Sequence, residues 1–86
     1  KMWTVYILEC SDGSYYTGIT RNLSRRISQH QAGSAAKYTK GRTPIKLIYR
    51  ESCADRSKAT KREMEIKALK KVQKQGLVRD QSLAKS

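Results

Sequence analysis

WTVYILECSDGSYYTGIT, residues 3–20, decides the fold. Met2 to Cys10 reads as a strand in which the side chains alternate. Trp3, Val5 and Ile7 point one way; Thr4, Tyr6, Leu8 and Cys10 point the other. The run is rich in aromatic and β-branched residues, which suit a pleated surface. Ser11-Asp12-Gly13-Ser14 reads as a tight turn, because Asp-Gly supplies the positive φ that such a turn needs. Tyr15 to Thr20 is then the antiparallel return strand. Gly18 within it marks a bend or a close approach of another group.

Outward from this hairpin, Asn22 is a helix cap. Leu23, Arg26, Ile27 and His30 share one helical face, which Leu23 and Ile27 mark as the buried one. Ser24, Arg25, Ser28 and Gln31 face water, and Gly33 is a C-terminal stop. GSAAKYTKGRT (33–43) reads as a loop of small and basic residues around Tyr38. It is read either as a contact surface or as a solvated linker with Tyr38 tucked onto the core. Ile45 to Arg50 forms a third strand after Pro44, with Ile45, Leu47 and Tyr49 expected on one face. Asp55 or Ser57 caps a second helix starting near residue 56. Ala59, Glu63, Ile66 and Lys70 fall on one stripe of that helix, and Glu65 falls off it. Gly76 is expected to interrupt the basic stretch that follows, Leu77-Val78 to add a short turn, and residues 79–86 to fray.

The order is strand, strand, helix, strand, helix: one α+β domain over residues 1–86, core about 3–78, with a three-stranded, mainly antiparallel sheet flanked by helices. Eighty-six residues allow one small core. The formal charge of +12 points to nucleic acid as partner. A ribosome-like or membrane-surface protein is the plainer alternative. No apolar run approaches the roughly 18 residues of a membrane span, and no secretory start is evident. Cys10 and Cys53 are too few for a disulfide scaffold or a zinc site and are expected to be reduced.

Four kinds of side chain carry chemistry. Tyr6 and Tyr16 lie on consecutive strands, and a simple register brings them together on one face. Two adjacent phenols can hold a water, and one with a lowered pKa can take its proton. Alone they are better explained as core aromatics with satisfied hydroxyls. Arg26 sits on the inner side of its helix and needs an anion there, either Glu63 or a bound phosphate, which its planar fork fits. His30, one turn on, is a candidate proton donor or orienter. Glu63 is the single inward carboxylate. Magnesium accepts so sparse a site, since it keeps several waters and uses substrate phosphates; a salt bridge explains Glu63 as well. Arg25, Lys37, Tyr38, Lys40 and Arg42 form the candidate nucleic-acid-binding set.

VYI (5–7), YTG (16–18), NLSRRISQH (22–30) and KATKREMEIK (58–67) together resemble the GIY-YIG nuclease superfamily. The resemblance spans about residues 3–78. It is closest to the small stand-alone bacterial group, whose turn and loop run like DGSYYTGIT and AAKYTKGRTP, and it is also similar to the nuclease subunit of eukaryotic structure-specific endonucleases. It implies that Tyr6 and Tyr16 are the motif tyrosines and that Gly18 closes the second motif. It further implies that Arg26 contacts the scissile phosphate, that His30 is the helix histidine, and that Glu63 binds the metal. Thr4, Val5 and Thr17 depart from the motif glycine and isoleucines.

The function implied is a Mg2+-dependent endonuclease (Mn2+ as the substitute ion) that hydrolyses DNA, one strand per active site, on branched or damaged substrates in DNA repair. A motif tyrosine is the general base, with Tyr6 placed before Tyr16. RNA stays open as a substrate. The alternatives are a non-catalytic nucleic-acid-binding module and a nuclease subunit that needs a partner protein for targeting. Larger relatives carry separate DNA-binding domains, so affinity here is expected from the basic loop and helices or from that partner. The expected setting is the bacterial cytoplasm, near the nucleoid, with no membrane.

Overall fold

The computed structural model describes residues 2–84. Strands β1 (Trp3–Glu9) and β2 (Tyr15–Thr20) are followed by helix α1 (Leu23–Gln31), strand β3 (Lys46–Cys53) and helices α2 (Arg56–Lys67) and α3 (Lys71–Ala84). The antiparallel sheet has the order β2-β1-β3, so β1 is central and β2 lies at an edge. This is the α+β architecture that the hairpin and its flanking helices predict.

The first hairpin forms as its turn residues dictate. Gly13 has φ +84, the Cys10 N–H donates to Ser14 O at 2.8 Å, and Asp12 Oδ1 accepts from the Ser14 N–H at 3.0 Å. The Ser14 hydroxyl, which also donates to Asp12 Oδ1, then the Ser14 N–H and Arg42, hold the Asp12 carboxyl down to about 2. Tyr6 pairs with Gly18 and Leu8 with Tyr16, which fixes the face on which both tyrosines lie.

The alternation along β1 divides the core in two. On one face Tyr6, Leu8, Cys10 and Ile45 are buried, with Tyr16, Leu23, Ile27 and Leu47 packed on them. On the other lie Val5, Ile7, Tyr49, Ala59 and Ile66, with Leu77 and Val78 added from α3. Helix α1 therefore covers the first face, and α2 and α3 cover the second. Asn22 caps α1 by accepting from the Arg25 N–H at 3.1 Å. Gly33, at φ +79, takes the left-handed conformation that ends the helix. Asp55 caps α2 by accepting from the Lys58 N–H at 2.9 Å.

Two expectations are corrected. Simple alternation puts Tyr49 on the same face as Ile45 and Leu47, but the β1–β3 register shifts between Ile7 and Leu8. Such a bulge reverses which face each later residue meets. Tyr49 consequently packs with Val5 and Ile7, while Ile45 and Leu47 stay with Leu8. There its hydroxyl donates to Glu51 Oε1 at 2.6 Å, and Arg62 Nε bonds both Glu51 oxygens at 3.0 and 3.1 Å.

The second correction concerns the end of the chain. The helical stripe breaks at residues 68–70 rather than at Gly76, so Lys70 leaves the stripe it shares with Glu63. Helix α3 then runs through Gly76 and past Arg79 to Ala84; residues 85–86 of the expected tail lie outside the described residues. The extension has a purpose that periodicity does not reveal. Gln81 accepts from the Arg50 N–H at 3.1 Å and donates to Arg50 O. That closes part of the open edge of β3, where unpaired backbone groups otherwise invite another strand.

Candidate active site

Tyr6 reaches from the central strand over Gly18 toward the edge strand. A Cβ at Gly18 would lie 2.6 Å from the Tyr6 hydroxyl and 3.1 Å from Tyr16 Cε2. The glycine is therefore the gap that lets the two phenols meet, with ring centroids 6.4 Å apart. Tyr6 is 1% exposed; Tyr16 is half-buried at the rim.

His30 projects from the last turn of α1 into the same pocket and is buried. The Tyr6 hydroxyl lies 2.9 Å from His30 Nε2. His30 Nδ1 lies 2.8 Å from Thr39 Oγ1, and the Thr39 hydroxyl donates to Ala36 O at 3.2 Å. A carbonyl only accepts, so the direction of the whole line follows. Thr39 gives its proton to Ala36 O, His30 gives Nδ1–H to Thr39, and Nε2 is left as the acceptor for the Tyr6 proton. Burial, and then the charge of Arg26, hold the imidazole below its ordinary pKa, in the neutral form this line requires.

Burial pushes the Tyr6 phenol well up. Tyr16 adds to the rise, the nearby Arg26 guanidinium opposes it, and Glu63 raises it further. Besides burial, the field at Tyr6 thus comes from Tyr16, Arg26 and Glu63. Arg26 is half-buried and bonds only Gln29 Oε1, at 3.3 Å, through Nη1. Among the described residues no carboxylate pairs with it, so its anion is not Glu63 and the guanidinium is open to a phosphate.

Glu63 comes from α2, which packs on β2 and β1 from the opposite face. From that side its charge adds to the rise of the Tyr6 pKa. Its carboxylate is 20% exposed and has a loose pair with Lys67 Nζ at 3.5 Å. Among the described residues no cluster of three His, Cys, Asp or Glu could hold a metal. The donor set still fits a magnesium-type ion, which needs one or two carboxylates plus water and substrate oxygens. Thr17, buried at 3% exposure, has an Oγ1 with no partner among the described residues. It lines a cleft with Lys67, the residue that pairs with Glu63. An orphaned buried hydroxyl on β2, the strand that α2 packs against, is a further oxygen donor on the side from which Glu63 comes.

The loop residues divide. Tyr38 is 40% exposed and stacks on Tyr16 with centroids 5.9 Å apart, extending the site outward. Lys37 and Lys40 are exposed. Arg25 does not join the tyrosines; it lines a neighbouring cleft that it shares with Arg26. Arg42 is committed elsewhere. Its Nε pairs with Asp12 at 2.9 Å, its Nη1 donates to Tyr38 O at 2.6 Å, and it lies over the Tyr38 ring at 4.4 Å. Thr39 was not signalled by the sequence. The one available hint is a β-branched polar residue amid small and basic neighbours, and it becomes meaningful only once His30 is placed.

Residues 2–76 match the model of the GIY-YIG catalytic domain. The UPF0213 protein DP2720 of Desulfotalea psychrophila is 51% identical over 90% of this chain and 71% of its own length. The UPF0213 protein VNG_2274C of Halobacterium salinarum is 51% identical over 88% of this chain and 99% of its own length. Among solved structures, protein EF2693 of E. faecalis superposes with a TM-score of 0.67 at 38% identity, covering 96% of this chain and 88% of that one. The UPF0213 protein BH0048 of Bacillus halodurans gives 0.58 at 44% identity, covering 91% and 83%. The domain family is one of nucleases that generally use divalent metal ions, and its model spans nearly the whole chain. This chain belongs to the GIY-YIG catalytic domain family.

Proposed function

We propose that the protein is a magnesium-dependent endonuclease that cuts one DNA strand at a time by hydrolysis, with manganese as a substitute ion. The observation that carries this reading is the directed line Tyr6–His30–Thr39 beside an unpaired Arg26. A buried phenol with a raised pKa is a poor base if it must remain a phenolate. It becomes a serviceable one if its own proton moves on as it takes another.

Water attacks phosphorus and gives its proton to the Tyr6 oxygen, while the Tyr6 proton passes to His30 Nε2. Tyr16, at the rim, orients the water. The Arg26 fork stabilises the charge that develops on the phosphoryl oxygens. The bond to the 3′ oxygen breaks, that oxygen takes a proton from solvent water and His30 returns its proton to solvent, leaving a 5′-phosphate and a 3′-hydroxyl. Glu63 would hold the divalent cation, which when bound neutralises charge on the leaving oxygen.

Lys37, Lys40 and Tyr38 present attraction and stacking without an evident readout of base edges. Substrate choice then falls to the shape of branched or damaged DNA, or to a partner protein. Two free cysteines suit a reducing compartment, so we assign the enzyme to the cytoplasm. The test is a nicking assay on supercoiled plasmid and on nicked, flapped and four-way DNA, with magnesium, manganese or EDTA. Metal-dependent nicking supports the enzyme; tight binding without nicking, with and without co-purified partners, leaves only a nucleic-acid-binding module.

A further inference from the structure

Next to the active site, across Arg26, lies a cleft of about 290 Å³ lined by Trp3, Ile19, Arg21, Arg25, Arg26 and Gln29. It forms where β2 leaves the sheet. Thr4 pairs with Thr20 there, so Trp3 and Arg21 stand at the open end of the hairpin. Among the described residues neither Arg21 nor Arg25 pairs with a carboxylate. Of the seven acidic residues, four are paired elsewhere, Asp12 with Arg42, Glu51 and Glu65 with Arg62, and Glu63 with Lys67, and none of the seven lines the cleft. Three guanidiniums thus face one cleft with no counter-charge lining it.

The aromatic floor narrows the class of anion. Trp3 is half-buried, and the guanidiniums of Arg21 and Arg56 lie 5.9 and 5.6 Å from its ring. Those contacts hold the indole in place. A small anion makes no use of an indole, whereas a nucleobase stacks on one and its phosphate is taken by the arginines. At about 290 Å³ the cleft lies at the small end of ligand sites, the scale of one nucleotide rather than a base pair. A base still stacked in a duplex does not present its face.

We propose that the cleft formed by Trp3, Arg21 and Arg25 is a subsite for one unpaired nucleotide, adjacent in the strand to the phosphate that Arg26 contacts. Its place next to the cut rests on the nuclease reading; its occupancy by an unpaired nucleotide does not. The preferred substrate is therefore a strand that is single-stranded on one side of the scissile phosphate.

Trp3 is the only tryptophan in the chain, so its emission reports the subsite alone. The Glu63→Gln protein in EDTA is titrated with end-labelled oligothymidylate, with an abasic oligomer of equal length, and with duplex. Label anisotropy gives binding and indole emission gives stacking. The thymidylate is expected to quench Trp3, while the abasic oligomer and the duplex bind without quenching it. Trp3→Ala should weaken thymidylate binding about ten- to a hundredfold and leave abasic binding unchanged. Trp3→Phe, which keeps a ring for packing, should retain most of the affinity, and Arg21→Ala should lower the salt slope by about one. Thymidylate bound with Trp3 emission unchanged, equal affinity in Trp3→Ala, or no binding of thymidylate overturns the subsite. Quenching by thymidylate with no nicking by the wild-type protein in magnesium keeps the subsite and removes the nuclease reading.

Discussion

The Tyr6 hydroxyl and His30 Nε2 stand 2.9 Å apart, with the imidazole presenting its lone pair. That orientation is set on the far side of the ring, by Thr39 at 2.8 Å. Thr39 is therefore a positioning residue. Thr39→Val keeps the shape but leaves Nδ1–H without an acceptor, which costs about 1–3 kcal/mol of stability. It also frees the ring to adopt the other tautomer. Cleavage should fall about ten- to a hundredfold, the size expected when the group orienting a functional imidazole is lost. DNA affinity should hold and Thr39→Ser should restore the rate. Single-turnover cleavage alongside binding separates these outcomes from simple unfolding.

The same line fixes a pH dependence. The folded-state pKa of His30 is depressed, so the unfolded chain binds its proton more readily. Stability should rise with pH toward the unfolded value of about 6.5, level off above it, and be lost as pH falls through the folded pKa. The relay needs neutral His30, so the acid limb of the cleavage rate should lie below about 6.5. The Tyr6 phenol is pushed up, so no plateau from its ionisation should appear near neutrality. Rate–pH profiles of the wild type and Thr39→Ser check both limbs.

The basic loop separates into two kinds of cation. Lys37 and Lys40 are exposed, so changing both to Ala should lower the slope of log K against log salt by about 1–2, with stability within about 0.5 kcal/mol. Arg42→Ala removes the bonds to Asp12 and Tyr38 O. It should cost about 1 kcal/mol and disorder the stacked Tyr38, with little change in the salt slope. Thermal melts and salt-dependent binding distinguish the two.

Gly76 sits inside α3, and a Cβ built there meets nothing within 4 Å. Its φ is ordinary, so its flexibility is cost without compensation. Gly76→Ala should stabilise the protein by about 0.5–1 kcal/mol, raise Tm by a few degrees, and leave cleavage unchanged. Calorimetry on the two chains decides it.

Much of the frame was legible because its signals are local. Period-two alternation in β1 assigned both faces of the sheet, Asp12-Gly13 assigned the turn, and Asn22 and Asp55 assigned two helix starts. The helical face carrying Arg26 and His30, and the inward turn of Glu63, followed from the same arithmetic. What stayed hidden depends on contacts distant in sequence. The bulge opposite Ile7 and Leu8 sends Tyr49 to the other face, and no residue near Tyr49 announces it. Arg42 finds Asp12, thirty residues away, and becomes a strut. Helix α3 persists past Gly76 because Leu77 and Val78 reach the core and Gln81 closes the β3 edge, which outweighs one unfavourable glycine.

In the proposed mechanism Glu63 acts with Tyr6 and Arg26 at one site, although α2 and α1 lie on opposite faces of the sheet. Cleavage and binding measured on the same flapped DNA with Glu63→Gln test this most directly. Removing the charge while keeping the shape should leave affinity within about twofold and abolish magnesium-dependent cleavage, a loss of about a thousandfold or more. Cleavage at the wild-type rate by Glu63→Gln would contradict it.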